Sequence, residues 1–486
     1  MLCSGTSTAR YPGRMDQAGF RTGKAMTSRS PDSYREIIAV SFPIIAAMAG
    51  RTIMMFCDRL FLAQHSQLEL QAALPAGILS FTMMCIFYGT VSYAGTFVAQ
   101  YFGADDHEGC SRALAQGIFL AILSAPVMAA MAVPGTYILG LAGHAPEVFE
   151  LEKVYFRIMM FSAAGPIFTA AASSFWNGRG KTVHTMLAVL AGAGMNILLD
   201  YLMIFGRLGF PEMGIEGAAV ATAISSFIPG TILTVAAYTG RTAREYRTRE
   251  NFRFSGKLTA RILRFGFPAG LQIFMDVASF TIFIFIAGRL GTVDFTANNL
   301  VFSVNNLAFN PLLGFGFATT VIVGRCIGMR RTDMAVRATR RTLLLSLCYF
   351  LPLAATFVLF PNFYTRLFFS PDSACSLEEL ASTAGKLLAI VAAWGVFDAV
   401  NLMYGGALRG AGDTKFVVLV SGILAWGFWI PGVLYLYIVL DAGIVGLWLF
   451  TSLYVAIFGL VFFLRFRTGR WRDIDLLGRE EIEVKY

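Results

Sequence analysis

The stretch SFPIIAAMAGR (residues 41–51) is answered 225 residues later by GFPAGLQIFMD (266–276). The same offset sets AQYFG (99–103) over GRCIG (324–328). NGRGKT (177–182) returns as RGAGDT (409–414) after 232 residues, and GIEG (214–217) as GIVG (443–446) after 229. Apolar helices resemble one another, so each match alone is weak. Four in order at a nearly constant offset mark a chain built from two copies of one unit.

What each copy contains follows from hydropathy. Of 486 residues, 56% are hydrophobic and only 14% charged, against roughly a quarter charged in a soluble protein. A helix needs about 20 apolar residues to cross the hydrocarbon. Twelve such segments are predicted, near 37–63, 72–101, 112–140, 154–176, 182–206, 216–240, 258–288, 296–324, 342–369, 380–408, 415–438 and 443–464. Long runs, rather than alternating segments of about ten residues, exclude a β-barrel. The expected fold is an all-α polytopic membrane protein of 12 transmembrane helices in two pseudo-symmetric six-helix lobes. Six is even, so the copies share one orientation, as parallel repeats about an axis near the membrane normal.

The net charge of +9 does not indicate nucleic acid. The basic residues cluster in the gaps between apolar runs, above all in 241–264 and in the stretch holding Arg325, Arg330, Arg331, Arg337, Arg340 and Arg341, read as a loop. Opposite loops carry acids such as Glu147, Glu212, Asp372 and Glu378. By the positive-inside rule both termini are cytoplasmic. The expected divisions are a disordered tail or misassigned start at 1–33, a first lobe at 34–240, a basic cytoplasmic linker at 241–257, a second lobe at 258–466 and a tail at 467–486. Seven cysteines without CxxC spacing suggest neither a disulfide framework nor a metal site.

Charge inside the spans is where function is expected. RTIMMFCDRLFLA (51–63) puts Arg51, Asp58 and Arg59 in an apolar run, and Asp200, Asp276 and Asp398 lie in others. Burying such groups costs several kcal/mol unless they are paired, hydrated or protonated. Buried carboxylates hold protons more readily than exposed ones and so make natural proton carriers. Asn196 and Asp200, spaced i, i+4, share a helix face. With Asp58 and Thr222 they form a hard-oxygen set suited to Na⁺ or a net holding a proton; the same groups also serve as a polar knot between helices. Asp276 and Asp398 have no basic residue within a turn or two. Trp394, one turn before Asp398, reads as core.

Other polar clusters carry no chemistry. GADDHEGCSR (103–112) reads as solvated charge, and GRGK (178–181) lacks Walker spacing. Neither H-E-x-x-H nor G-x-S-x-G is present. A nucleotide-binding domain is also missing, so ATP is not expected to drive transport directly.

From about residue 34 to 466 the chain resembles the MATE (multidrug and toxic compound extrusion) family, near its NorM-type branch. The resemblance rests on Pro43 followed 15 residues later by Asp58, on NILLDYLMIFG (196–206), GFPEMGIEGAAVAT (209–222), Pro268 with Asp276, and FDAVNLMYGGALRGAGDTKF (397–416). It implies secondary antiport of amphipathic, often cationic compounds against Na⁺ or H⁺ by alternating access, in a bacterial inner membrane, by a monomer that is not an enzyme and needs no cofactor. By position, Asp58, Asn196, Asp200 and Thr222 match the family's first-lobe cation site. Asp276 and Asp398 match its second-lobe acids, and Pro43 the proline linked to helix bending. Family members usually have Glu at the position of Asp276, a small or polar residue at that of Arg59 and commonly Gln at that of Arg51. Two turns from Asp58 on nearly one face, Arg51 is expected to lean toward it as a built-in counter-ion. Offset 225 sets Arg51 over Asp276, and Asp58 over Phe283. The rival readings are a lipid-linked oligosaccharide flippase of the wider superfamily, supported only by Arg51 and Arg59, and an intramembrane transferase, for which no catalytic constellation is found.

Overall fold

A computed structural model describes residues 30–369 and 376–478. The tail expectations for residues 1–29 and 479–486, and the loop acid Asp372, lie outside the described residues. Among the described residues, twelve helices are long and apolar enough to cross a bilayer. The first six are α1 (Tyr34–His65), α2 (Gln67–Gly103), α3 (His107–Gly140), α4 (Pro146–Gly178), α5 (Thr182–Ile204) and α6 (Gly214–Tyr238). The second six are α7 (Gly256–Ala287), α8 (Thr292–Gly328), α9 (Thr332–Leu359), α10 (Leu377–Ala411), α11 (Thr414–Ile438) and α12 (Ile444–Thr468). The described residues contain no strand.

The largest departure from the sequence reading is α9, predicted ten residues later. Pro361 lacks the N–H needed to continue the ladder and instead opens a separate helix, Pro361–Phe368. At the other end Arg337, expected in a loop, is helical and pairs at 2.9 Å with Asp333, one turn earlier. Both Arg337 (2.9 Å) and Arg341 (3.0 Å) also reach Asp32, so residues 30–33 are not a free tail. The described part of the C-terminal tail packs too: Trp471 is fully buried and stacks on Phe466 at 4.7 Å. Part of the expected linker is helical, Gly240–Tyr246.

The duplication is visible in the backbone. Gly180 and Gly412 end α4 and α10 in the left-handed conformation, φ 74° and 100°, where glycine is the favoured residue. At each, the next residue's N–H closes the turn at 2.9 Å, Lys181 onto the Trp176 carbonyl and Asp413 onto that of Leu408. Asp105 and Arg330, at offset 225, repeat a left-handed turn with φ 61° and 58°.

Buried apolar residues form two clusters, one per lobe, with a reciprocal exchange of first helices. Ile37 and Val40 of α1 belong to the second lobe's cluster; Ile262 and Ala269 of α7 belong to the first's. Alternating spans put the start of α1, the end of α12 and Gly240–Tyr246 on one face, here the tail side. The lobes meet in the tail-side half. A Cβ on Gly103 would collide with the Arg325 carbonyl, and one on Gly328 with that of Gln100. Positions 100 and 103 are the counterparts of 325 and 328, so the contact repeats itself as across an isologous dimer interface. The pairs Gly89–Gly270 and Gly314–Ile45 obey the same rule. Arg325 Nη1 pairs with Glu36 Oε1 at 2.8 Å across the lobes, with only 5% and 14% of the side chains exposed. The Tyr93 hydroxyl donates to the Arg409 carbonyl at 2.8 Å, and the Gln100 amide to that of Gly410 at 3.0 Å. Further along α1, Arg51, Thr52, Met55 and Arg59 are exposed.

NGRGKT is structural, as its lack of Walker spacing implied. Arg179 is buried with its guanidinium 3.9 Å from the Phe175 ring centre and 4.5 Å from those of Trp176 and Tyr246. Burial lowers the Arg179 pKa and raises that of Tyr246. A lysine cannot stack its charge in this way. Arg179→Lys is therefore expected to cost about 2 kcal/mol, read as a lower unfolding temperature in detergent.

Candidate functional site

In the first lobe, α1, α5 and α6 bring the four expected residues together. Asn196 and Asp200 are fully buried, side by side on α5. The Asn196 amide donates to Asp200 Oδ1 at 3.5 Å and to Thr222 Oγ1 of α6 at 3.3 Å. Asp58, half-buried on α1, lies within electrostatic range of Asp200, and Tyr155 of α4 is within range of both. Oxygens on three of these residues, Asp58 Oδ1, Asp200 Oδ2 and Asn196 Oδ1, are buried without a hydrogen-bond partner among the described residues. Buried acceptors are ordinarily satisfied, and unpartnered carboxylate and amide oxygens are the donor type that a hard cation or a proton takes. Pro43 is buried within an unbroken α1.

The expected lean of Arg51 toward Asp58 does not occur. Arg51 is exposed and makes no ion pair among the described residues; the arginine whose charge reaches Asp58 is its neighbour Arg59. Seven residues of helix rise separate Arg51 from Asp58 by about 10 Å, more than the side chain bridges while keeping its head in water. Arg51 is thus not a counter-ion for Asp58.

In the second lobe, Asp276 of α7 is half-buried and Asp398 of α10 is 6% exposed. Tyr454 of α12 lies within electrostatic range of both. The Trp394 indole donates to Asp398 Oδ2, so this residue, read as core, holds the acid. Trp394 rests on Trp448 with ring centres 5.1 Å apart, and the Trp448 indole donates to Asn298 Oδ1 at 3.0 Å. Phe283, the counterpart of Asp58, is buried and stacks on Trp429 at 5.6 Å. Trp429 closes a π-helical segment, Ile423–Trp429. Pro431 follows it and offers no N–H to the helix ladder, which fits a local change of winding.

Asp276 is not free of basic neighbours. Gln272, one turn earlier, hydrogen-bonds its carboxylate, and the Arg409 guanidinium donates to Gln272 Oε1 at 3.3 Å. Arg409 lies 133 positions away in sequence, where the spacing argument did not look. Asp276 Oδ1 still has no hydrogen-bond partner among the described residues. Sequence reasoning missed Gln272, Arg409, Asn298 and Tyr454. The i, i+4 spacing of Gln272 to Asp276 was a usable signal; for Arg409 there was none beyond its place in ALRGAGDT. A nearby positive charge opposes cation binding by about 1–3 kcal/mol at an effective dielectric near 20. Arg409→Gln is accordingly expected to lower the half-saturating concentration of the coupling cation roughly tenfold, measured as cation-dependent transport in proteoliposomes.

Two six-helix lobes that meet on one side, with carboxylates inside the spans, define a multi-pass membrane protein. The sequence profile of the MatE family matches residues 43–202 and 268–434. The chain belongs to that family and is a MATE transporter of the NorM type. It is 24% identical over 457 residues to a probable multidrug resistance protein NorM of Thermotoga maritima, covering 93% of this chain and 96% of that one. A protein of the same description from Rhizobium meliloti is 28% identical over 406 residues, covering 82% and 85%. Among solved structures, a crystal structure of MATE in complex with MaL6 superposes with a TM-score of 0.81 at 20% identity, covering 92% of this chain and 98% of that one. Its substrates are accordingly small molecules.

Proposed function

We propose that the chain is a secondary antiporter that exports amphipathic, often cationic compounds in exchange for Na⁺ or H⁺ by alternating access. The observation that carries this reading is the set of orphaned buried acceptors, Asp58 Oδ1, Asp200 Oδ2, Asn196 Oδ1 and Asp276 Oδ1, lying in both halves of a duplicated transporter fold. Asp276 and Asp398 take the coupling cation in the second lobe; Asp58, Asn196, Asp200 and Thr222 form the first-lobe set. Cation binding favours the state that releases substrate outward, because a ligand shifts a two-state equilibrium by its differential affinity. Lobes at 34–240 and 258–466 rock about the tail-side contact. Basic residues on the tail side support a bacterial inner-membrane protein with both termini in the cytoplasm, working as a monomer in lipid without a cofactor. Sealed on the tail side, the structure then corresponds to the outward-facing state.

Ethidium efflux from a pump-deficient host, followed by separately imposed Na⁺ and pH gradients in proteoliposomes, tests the reading. Gradient-driven efflux supports it and names the ion. Absence of efflux under both gradients sinks it.

A further inference from the structure

Arg51 stands near the middle of α1, about 17 residues from its start, where a charge exposed to lipid would cost several kcal/mol. Its direction follows from helix phase. On the tail side, Ile37, Ile44 and Ile45 face the second lobe. Helical spacing continues that stripe through Met48 to Arg51, Thr52, Met55 and Arg59. The exposed apolar residues Phe42, Ile53, Phe56 and Leu60 fall on another arc, the one suited to lipid. Past Ile45 the burial of α1 falls away, and the stripe at Arg51, Thr52, Met55 and Arg59 is exposed. Asp58 can neutralise only one of the two arginines, and the one within range is Arg59. Among the described residues Arg51 makes no ion pair, and it stands on the stripe that continues from the face α1 turns to the second lobe.

We propose that Arg51 recognises an anionic group, a carboxylate or sulfonate, on a soluble amphipathic substrate. The guanidinium presents a planar fork of donors matched to two anionic oxygens. Met48 and Met55, one turn to either side on the stripe, give pliable apolar contact for an aromatic body. Substrate charge is thereby read on the first-lobe wall, while Asp276 and Asp398 serve the coupling cation and the cationic group of other substrates.

This proposal rests on the antiporter reading and names its substrate class, so its test uses two dyes sharing a xanthene skeleton. Rhodamine 123 is a cation and fluorescein an anion. Wild-type protein in proteoliposomes is expected to move both. Arg51→Gln should lower fluorescein transport about tenfold, the loss of a hydrogen bond to a charged group, and change rhodamine 123 transport by less than about twofold. Arg51→Lys should fall between wild type and Arg51→Gln for fluorescein. Equal loss of both dyes in Arg51→Gln, or wild-type transport of rhodamine alone, overturns the proposal and leaves the antiporter reading standing. Transport of neither dye or of ethidium fails that reading, and the proposal with it. Flipping of fluorescently labelled phosphatidylglycerol, dependent on Arg51 and without fluorescein transport, would assign the site to a lipid phosphate and overturn the soluble class.

Discussion

Asp276→Asn and Asp398→Asn should each abolish cation-driven efflux while leaving the protein folded. Both substitutions keep shape and hydrogen bonding. The amide oxygen introduced at position 398 still accepts from Trp394, the amide introduced at position 276 still meets Gln272, and Arg409 keeps its hydrogen bond to Gln272. What disappears is the negative charge, and with it the gain from binding a cation at a dehydrated site. Losing a charged interaction of about 1.5–3 kcal/mol corresponds to a fall in cation-dependent rate of about tenfold or more. Rates under imposed Na⁺ and pH gradients, with unfolding temperatures measured alongside, make the comparison. Unchanged cation dependence in both variants would refute the second-lobe assignment.

Glu36→Gln should have the second large effect, on conformation. In the tail-sealed state Arg325 is almost wholly enclosed and Glu36 is its carboxylate partner across the lobes. Removing one member of a buried pair leaves an uncompensated charge and costs about 3–5 kcal/mol. Under the proposed alternating access, that cost applies only to the sealed state, in which Arg325 is enclosed. An equilibrium biased by about 3 kcal/mol moves by roughly a hundredfold. Spin labels on the turns between α4 and α5 and between α8 and α9 would report a longer mean distance. Removing both charges, in Glu36→Ala with Arg325→Ala, should restore part of the closed population, because no buried charge remains to be relieved. A distance distribution identical to wild type in Glu36→Gln would reject the latch.

The sequence carried most of the fold because bilayer physics admits few alternatives. Apolar length gave the spans, and the repeat at 41–51 and 266–276 gave the lobes, later visible as paired left-handed turns at Asp105 and Arg330. It misjudged α9, where Pro361 restarted a helix that hydropathy alone ran together with its neighbour. Within the candidate site, i, i+4 spacing found Asn196 with Asp200. Local spacing failed where the partner came from another helix. Arg409 reaches Asp276 through Gln272, and Arg51 shared a helix face with Asp58 without meeting it. Side-chain reach and the parting of the lobes decide such contacts, and neither is written in residue spacing.

Arg51 and Asp276 occupy one address in the two copies, and the consequence is evolutionary. While the ancestral halves were identical, any change at this address altered both walls at once. After duplication each wall could drift alone. Two first halves would face arginine with arginine, and two second halves aspartate with aspartate, so neither doubled molecule would keep both charges. The reciprocal glycine contacts at 103 and 328 remained common property, since both halves need them to close. If Arg51 reads cargo and Asp276 the ion, as proposed, a substitution at either copy of this address alters one preference and leaves the other untouched.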